Sequence, residues 1–109
     1  MGHIFGTNNV GCCYEQGIGV EIDENKAFIY YQKSANLGDP IGTYNVGNCY
    51  QYGIGVEMDE HKAFNYYQKA ANMGYAEAIN VVGCCYLYGY GIELDEYQAF
   101  ICYKKLAEM

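Results

Sequence analysis

An all-α fold, a right-handed α/α superhelical solenoid of three helix-turn-helix repeats, is what this 109-residue sequence predicts. Three observations lead there. The chain repeats itself every 36 residues, each copy holds two segments with apolar or small residues at helical spacing, and a Gly-x-Gly loop parts the two segments each time. Asn9 to Gly38 matches Asn45 to Gly74 at 22 of 30 positions without gaps, and a third copy follows from Val81 at the same offset. Gly11, Gly47 and Gly83 correspond, as do Cys13, Cys49 and Cys85, and Asp23, Asp59 and Asp95. The units run about 3–38, 39–74 and 75–109, within one domain spanning 1–109.

Within the second unit, Thr43, Val46, Gly47 and Tyr50 fall at i, i+3, i+4 and i+7, one face of a first helix; Ile79, Val82, Gly83 and Tyr86 repeat it. Ala63, Phe64, Tyr67 and Ala71 give a second helical face, bordered by Tyr66 and Ala70. Strand alternation is absent. Between the helices, Gly53 stands where a left-handed C-cap is wanted, Gly55 allows the reversal, and Val56 can fold back onto the pair. Asp59 is placed to cap the second helix, with Glu60 in its first turn and Lys69 in its last, both favourable to the helix dipole. Gly47 inside a helix costs about 1 kcal/mol relative to alanine. A close approach to small residues, with Ala63, Ala70 and Ala71 as the expected surface, would offset that cost. A single hairpin cannot bury its apolar face, whereas three in series build a continuous core.

The Gly-x-Gly loops also invite comparison with a phosphate cradle. A dinucleotide fingerprint needs a preceding strand and a third glycine, but Ile22, Met58 and Leu94 stand at that place, and no Gly-Lys-Ser/Thr follows. A structural turn uses every residue of the loop. No cofactor is expected.

Composition narrows the partners. Six basic against thirteen acidic residues give a net charge of −7, which repels a nucleic-acid backbone or an anionic membrane surface. The expected partner is a protein or peptide, not nucleic acid and not membrane. No apolar run approaches the roughly 20 residues of a spanning helix. The opening lacks a secretory pattern, Gly6 occupies the place a myristoylation motif reserves for Ser or Thr, and no Asn-x-Ser/Thr occurs.

Val46 to Gly74 reads V-G-x-C-Y-x-x-G-x-G-[VI]-x-x-D-x-x-K-A-[FY]-x-Y-Y-x-K-[AS]-A-x-x-G. This pattern resembles the Sel-1-like repeat, a relative of the tetratricopeptide repeat, and the likeness covers essentially the whole chain. The third copy departs at Gln98, which replaces Lys, and at Cys102, which replaces Tyr. The resemblance implies an α/α solenoid without catalysis, acting as an adaptor or scaffold. It points to settings in fungal and other eukaryotic signalling proteins, endoplasmic-reticulum quality control and bacterial proteins. A regulatory or targeting segment tied to a signalling enzyme such as a protein kinase is the alternative.

One branch of that family, the HCP-like cysteine-rich proteins, cross-links its helices through cysteine pairs several residues apart, a spacing absent here. Adjacent Cys12-Cys13 and Cys84-Cys85 point about 100° apart on a helix and are poor for bridging. Core packing as small apolar residues is the expected role, Cys85 with Cys102 being the one pair that could meet. His3 and His61 lie far from the cysteines, so no metal site is expected. Ser34 is the sole serine and lacks Ser-x-x-Lys spacing, and no enzyme activity is expected. A reduced cytoplasmic setting, or alternatively a nuclear one, fits the thiols.

Positions that change between copies while the framework stays constant are candidates for the working surface. On the first helices these include Asn8, Tyr44 and Asn80; Cys12, Asn48 and Cys84; Glu15, Gln51 and Leu87; and Gln16, Tyr52 and Tyr88. The resemblance implies that first helices line the concave side. Amides can clamp a peptide backbone and tyrosines supply rigid area with a polar tip, giving a candidate groove of Asn8, Tyr44, Asn48, Tyr52, Asn80 and Tyr88. At the far end, Phe100, Tyr103 or Leu106 would be displayed with no following hairpin, so either a longer array of which this chain is a fragment, or self-association through that end, is a further expectation.

Overall fold

The computed structural model describes residues 2–109, with side chains from Gly6 onward; His3 and the first residues of the chain lie outside the described side chains. Six helices follow one another: α1 (Gly2–Gln16), α2 (Glu24–Asn36), α3 (Pro40–Tyr52), α4 (Glu60–Asn72), α5 (Ala76–Tyr88) and α6 (Glu96–Ala107). Among the described residues there is no strand. Each helix packs chiefly on the one before and the one after it, the nearest-neighbour order of an all-α repeat solenoid.

The loops explain why the chain turns where it does. Gly53 and Gly89 cap α3 and α5 in the left-handed region, both at φ 69°, and Gly55 and Gly91 follow, both at φ 72°. Such angles carry a side-chain penalty for any residue with a Cβ. The backbone N–H groups of Ile54 and Tyr90 close the turn onto the carbonyls of Cys49 and Cys85 at 2.9 Å. Asp23, Asp59 and Asp95 then cap α2, α4 and α6, accepting from the backbone N–H of Lys26, Lys62 and Gln98 at 3.0–3.1 Å. Their own N–H groups reach back to the carbonyls of Tyr14, Tyr50 and Tyr86 at 2.9 Å. Both ends of each loop are therefore tied to the same hairpin.

The helical glycines meet an aromatic ring as well as the expected alanine, Ala63 in the case of Gly47. A Cβ on Gly47 would lie 2.8 Å from the Tyr67 ring and 3.3 Å from the Ala63 carbonyl oxygen. Gly11 meets Tyr31 and Gly83 meets Tyr103 at the same 2.8 Å. The missing side chain accommodates the tyrosine ring against the first helix. Tyr31 and Tyr67 are buried there as the largest enclosed side chains of the core. Around them Ala27, Ala35, Val46 and Cys49 form one buried cluster, and Phe64, Ala71, Ala78, Ile79 and Val82 join a second. In α6 only Ala99 is buried.

Candidate partner-binding face

The first helices receive the phenols of three second-helix tyrosines. The Tyr31 phenol donates to Glu15 Oε1 at 2.5 Å, the Tyr67 phenol meets the side chains of Asn48, at 2.6 Å, and Gln51, and the Tyr103 phenol donates to Cys84 Sγ at 3.3 Å. One phenol hydrogen cannot serve both amide oxygens at Tyr67, so one amide turns its NH₂ toward the phenol oxygen. Burial holds the Tyr31 and Tyr67 phenols far above their usual range. The Cys84 hydrogen bond, with some burial, pushes Tyr103 up to about 12. All three remain neutral donors at physiological pH.

Glu15, Asn48, Gln51 and Cys84, which differ between copies, each meet the phenol of a second-helix tyrosine. A second contact crosses the joint between units: Asn45 Nδ2 donates to Asn8 Oδ1 at 2.9 Å, and Asn48 Nδ2 faces Asn45 Oδ1 at 3.5 Å. Asn8 is consequently only 6 % exposed. Tyr44 is half-buried, tilted on Tyr67 with ring centroids 5.4 Å apart and edge-on to Tyr75 at 5.3 Å. Burial, with Glu77 adding to it, raises the Tyr44 phenol. The six candidate residues thus divide. Asn8, Tyr44 and Asn48 are engaged inside the array, whereas Tyr52, Asn80 and Tyr88 stand exposed, Tyr88 at 75 %.

Along this row of first helices the chemistry changes. In the third unit Val81, Cys84 and Leu87 replace Asn45, Asn48 and Gln51, and the amide run gives way to an apolar surface. There a groove of about 230 Å³ is lined by Gln51, Val81, Cys84, Cys85, Tyr88 and Tyr90. The role of Asn45 and of the buried tyrosines was missed by reading for variation. The available signal was a recurring spacing, Gly11 to Tyr31, Gly47 to Tyr67 and Gly83 to Tyr103.

On the other side of the hairpins, Lys26 sits over Tyr14, which stacks on Tyr30, and Lys62 sits over Tyr50, which stacks on Tyr66; both ammonium groups are 5.4 Å from the ring centroid. Gln98 and Cys102 remove that column from the third unit, and a cleft of about 170 Å³ opens beside Ile79, Val82, Tyr86 and Cys102. Its thiol and those of Cys49 and Cys85 are made harder to ionise by burial, Cys49 reaching about 12 and Cys85 about 11. All six cysteines are free, the pair Cys85 and Cys102 included. Among the described residues no group of three or more His, Cys, Asp or Glu could hold a metal ion, and no helix is long and apolar enough to cross a membrane. His61 contacts the neighbouring unit, its Nδ1 lying 3.2 Å from the Gly91 carbonyl oxygen.

Stacked helical hairpins, with self-satisfied caps and an uneven row of first helices, define a helix-turn-helix repeat solenoid. The family model for the Sel1 repeat matches residues 5–39, 40–75 and 76–109, and the chain belongs to the Sel1 repeat family. Sel1 repeats typically serve as protein–protein interaction modules. A Sel1 repeat protein from Oxalobacter formigenes superimposes with a TM-score of 0.92 at 31 % identity, over 96 % of this chain and 43 % of that one. The protein c5321, a protective antigen present in uropathogenic Escherichia coli strains and displaying an SLR fold, gives 0.92 at 32 % identity, over 98 % of this chain and 23 % of that one. Helicobacter pylori cysteine rich protein B gives 0.78 at 27 %, over 93 % and 76 %. The chain spans less than half the length of the first two. Comparison with curated proteins finds no match.

Proposed function

We propose that this chain is a non-catalytic adaptor or scaffold module that binds a peptide or a protein on the side formed by α1, α3 and α5, in a reducing cytoplasmic or nuclear setting. The observation that carries this reading is the apolar groove between α3 and α5, bordered by the exposed Tyr88. Tyrosines with two side-chain torsions lose little entropy on contact and offer both an apolar ring and a polar tip. Asn80, one turn before Cys84, adds an amide able to bond a peptide backbone. The partner's contact segment would carry an apolar anchor and be neutral or basic, since the chain's charge is −7.

Selection of peptides from a displayed random library against the immobilised chain tests this. Selected peptides should lose about tenfold or more in affinity against Tyr88→Ala and against a Tyr52→Ala, Asn80→Ala double variant. Unchanged affinity, with helix content intact by circular dichroism, rejects the assignment of this face. Self-association is a second reading, favoured by the outer side of α6, where Tyr97, Phe100 and Ile101 are exposed. Of the residues expected there, Tyr103 instead turns inward over Gly83, and Leu106 packs against the second core cluster.

A further inference from the structure

Over Tyr14 and Tyr50 the first two units each build a column from their own second helix. Tyr30 stacks on Tyr14 with ring centroids 5.8 Å apart and Tyr66 stacks on Tyr50 at 5.7 Å, while Lys26 and Lys62 hold their ammonium groups 5.4 Å from the first-helix ring. Each lysine also has carboxylates for company. Lys26 shares a surface hollow with Glu21 and Asp23, and Lys62 shares one with Glu57 and Asp59.

The third unit keeps the floor and loses the filling. Gln68, Ala71, Asn72, Val82 and Tyr86 repeat Gln32, Ala35, Asn36, Val46 and Tyr50 without change. Phe64 meets Tyr86 edge-on at 5.5 Å as Phe28 meets Tyr50 at 5.8 Å, and Gly91 closes on the Glu60 carbonyl as Gly55 does on that of Glu24, so near that a Cβ would collide. Cys102, however, stands where Tyr66 stacks, and Gln98 stands where Lys62 reaches the ring, which leaves the cleft of about 170 Å³ over Tyr86. Its walls have changed to match. Ile79 takes the place of Thr43 and Ile101 that of Asn65, so the space vacated by a ring is lined by more apolar surface. Glu93 and Asp95 keep the loop carboxylates without the lysine that accompanies their counterparts. At the corresponding joint, between α2 and α4, a following unit is present and the column over Tyr50 still comes from α4. A repeat added after α6 would therefore leave the cleft open.

We infer that the cleft over Tyr86 is a docking site for a segment of a partner protein that presents an aromatic side chain with a lysine or arginine beside it. The ring stacks on Tyr86 against Ile79 and Ile101, in the place that Tyr66 holds on Tyr50. Lys105, which lines the cleft, can lie over that ring as Lys33 lies over Tyr30 at 5.6 Å. The partner's cation takes the place of Lys62, beside the Tyr86 ring and the carboxylates of Glu93 and Asp95. Two cations fit one such column, because the first unit already holds both Lys26 and Lys33 on its stacked pair. The site lies on the other side of the hairpins from the Tyr88 groove and does not depend on it.

Amide NMR of the full chain, titrated to about 20 mM with the acetylated and amidated dipeptide Tyr-Lys, tests this. Saturating shifts should centre on Tyr86, Gln98 and Cys102. The corresponding dipeptides Ala-Lys and Tyr-Glu should each bind about threefold or more weakly, the first lacking the ring and the second the cation. Gln98→Lys combined with Cys102→Tyr rebuilds the column inside the chain, so binding should be lost with helix content retained. Cys102→Phe fills the ring position alone and should also lose binding, which serves if the double variant lowers the helix content. Tyr88→Ala should leave the titration unchanged. Shifts that do not saturate, shifts centred on other residues, or undiminished binding to a folded variant with the cleft filled would overturn the docking site. Equal affinity for Tyr-Lys and Tyr-Glu would overturn the place assigned to the cation.

Discussion

At the joint between α2 and α3, the buried Ser34 hydroxyl donates to Asp39 Oδ2 at 2.8 Å, Asp39 Oδ1 caps the Ile41 N–H at 3.0 Å, and the Thr43 hydroxyl donates to the Asp39 carbonyl at 2.9 Å. At the joint between α4 and α5 the same register holds Ala70, Tyr75 and Ile79, and Tyr75 makes no side-chain cap. Both joints keep the edge-on Phe–Tyr pair and the glycine approach. The difference teaches that these shared contacts set the stacking geometry, while the filling is exchangeable provided its polar atoms are satisfied. Among the described residues no buried side-chain polar atom lacks a partner, so the polar joint meets that condition.

The apolar joint is broken most effectively by removing volume. Ile79→Ala leaves a cavity and should cost about 2–5 kcal/mol, whereas Thr43→Ala in the same register loses one hydrogen bond and should cost about 1 kcal/mol. Urea unfolding of both variants gives the ratio. Asp39→Ala comes next, at about 2–4 kcal/mol, combining a lost helix cap with a buried Ser34 hydroxyl left unpaired. Part of that cost should disappear in a Ser34→Ala background, and strict additivity in the double-mutant cycle would contradict the shared network.

Gly42→Ala converts the first joint toward the second. Its Cβ would fall 2.5 Å from Ser34 Oγ and 2.7 Å from Ser34 Cβ, an overpacking cost of about 1–3 kcal/mol. Ala70 with Ala78 shows the alternative filling, so Ser34→Ala should recover part of the loss, read as a rise in melting temperature over the single variant.

The last test is the pH response. Cys49 and Cys85 hold their protons up to about 12 and about 11, above the ordinary 9.0 of an exposed thiol. Their contribution is present in full below pH 9 and is lost as pH rises through those folded values. The urea midpoint should therefore fall between pH 9 and 11, and less steeply in Cys49→Ala.

Much of this architecture was readable from the chain. The 36-residue period, the glycine turn at Gly53 and Gly55 and the aspartate caps are local features, and local rules located them. What escaped are pairings between segments. A period tells which residues are equivalent, not which residue of one helix meets which of the next. Gly47 therefore suggested alanines, and Ala63 is there through its backbone carbonyl, but the Tyr67 ring that comes closest was not suggested. Asn8 suggested a free amide although Asn45 of the next unit engages it. Tyr52 and Tyr88, at the last turn of their helices, needed no pairing to be placed and stand exposed.

Native-state amide hydrogen exchange on the unaltered chain, at a concentration where it is monomeric, tests most directly whether the joints carry the stability. Helices α3 and α4 have a neighbouring unit on each side of their hairpin, so their amides should exchange slowest, with α1 and α6 fastest. Equal protection across all six helices, or slowest exchange in α6, would contradict it.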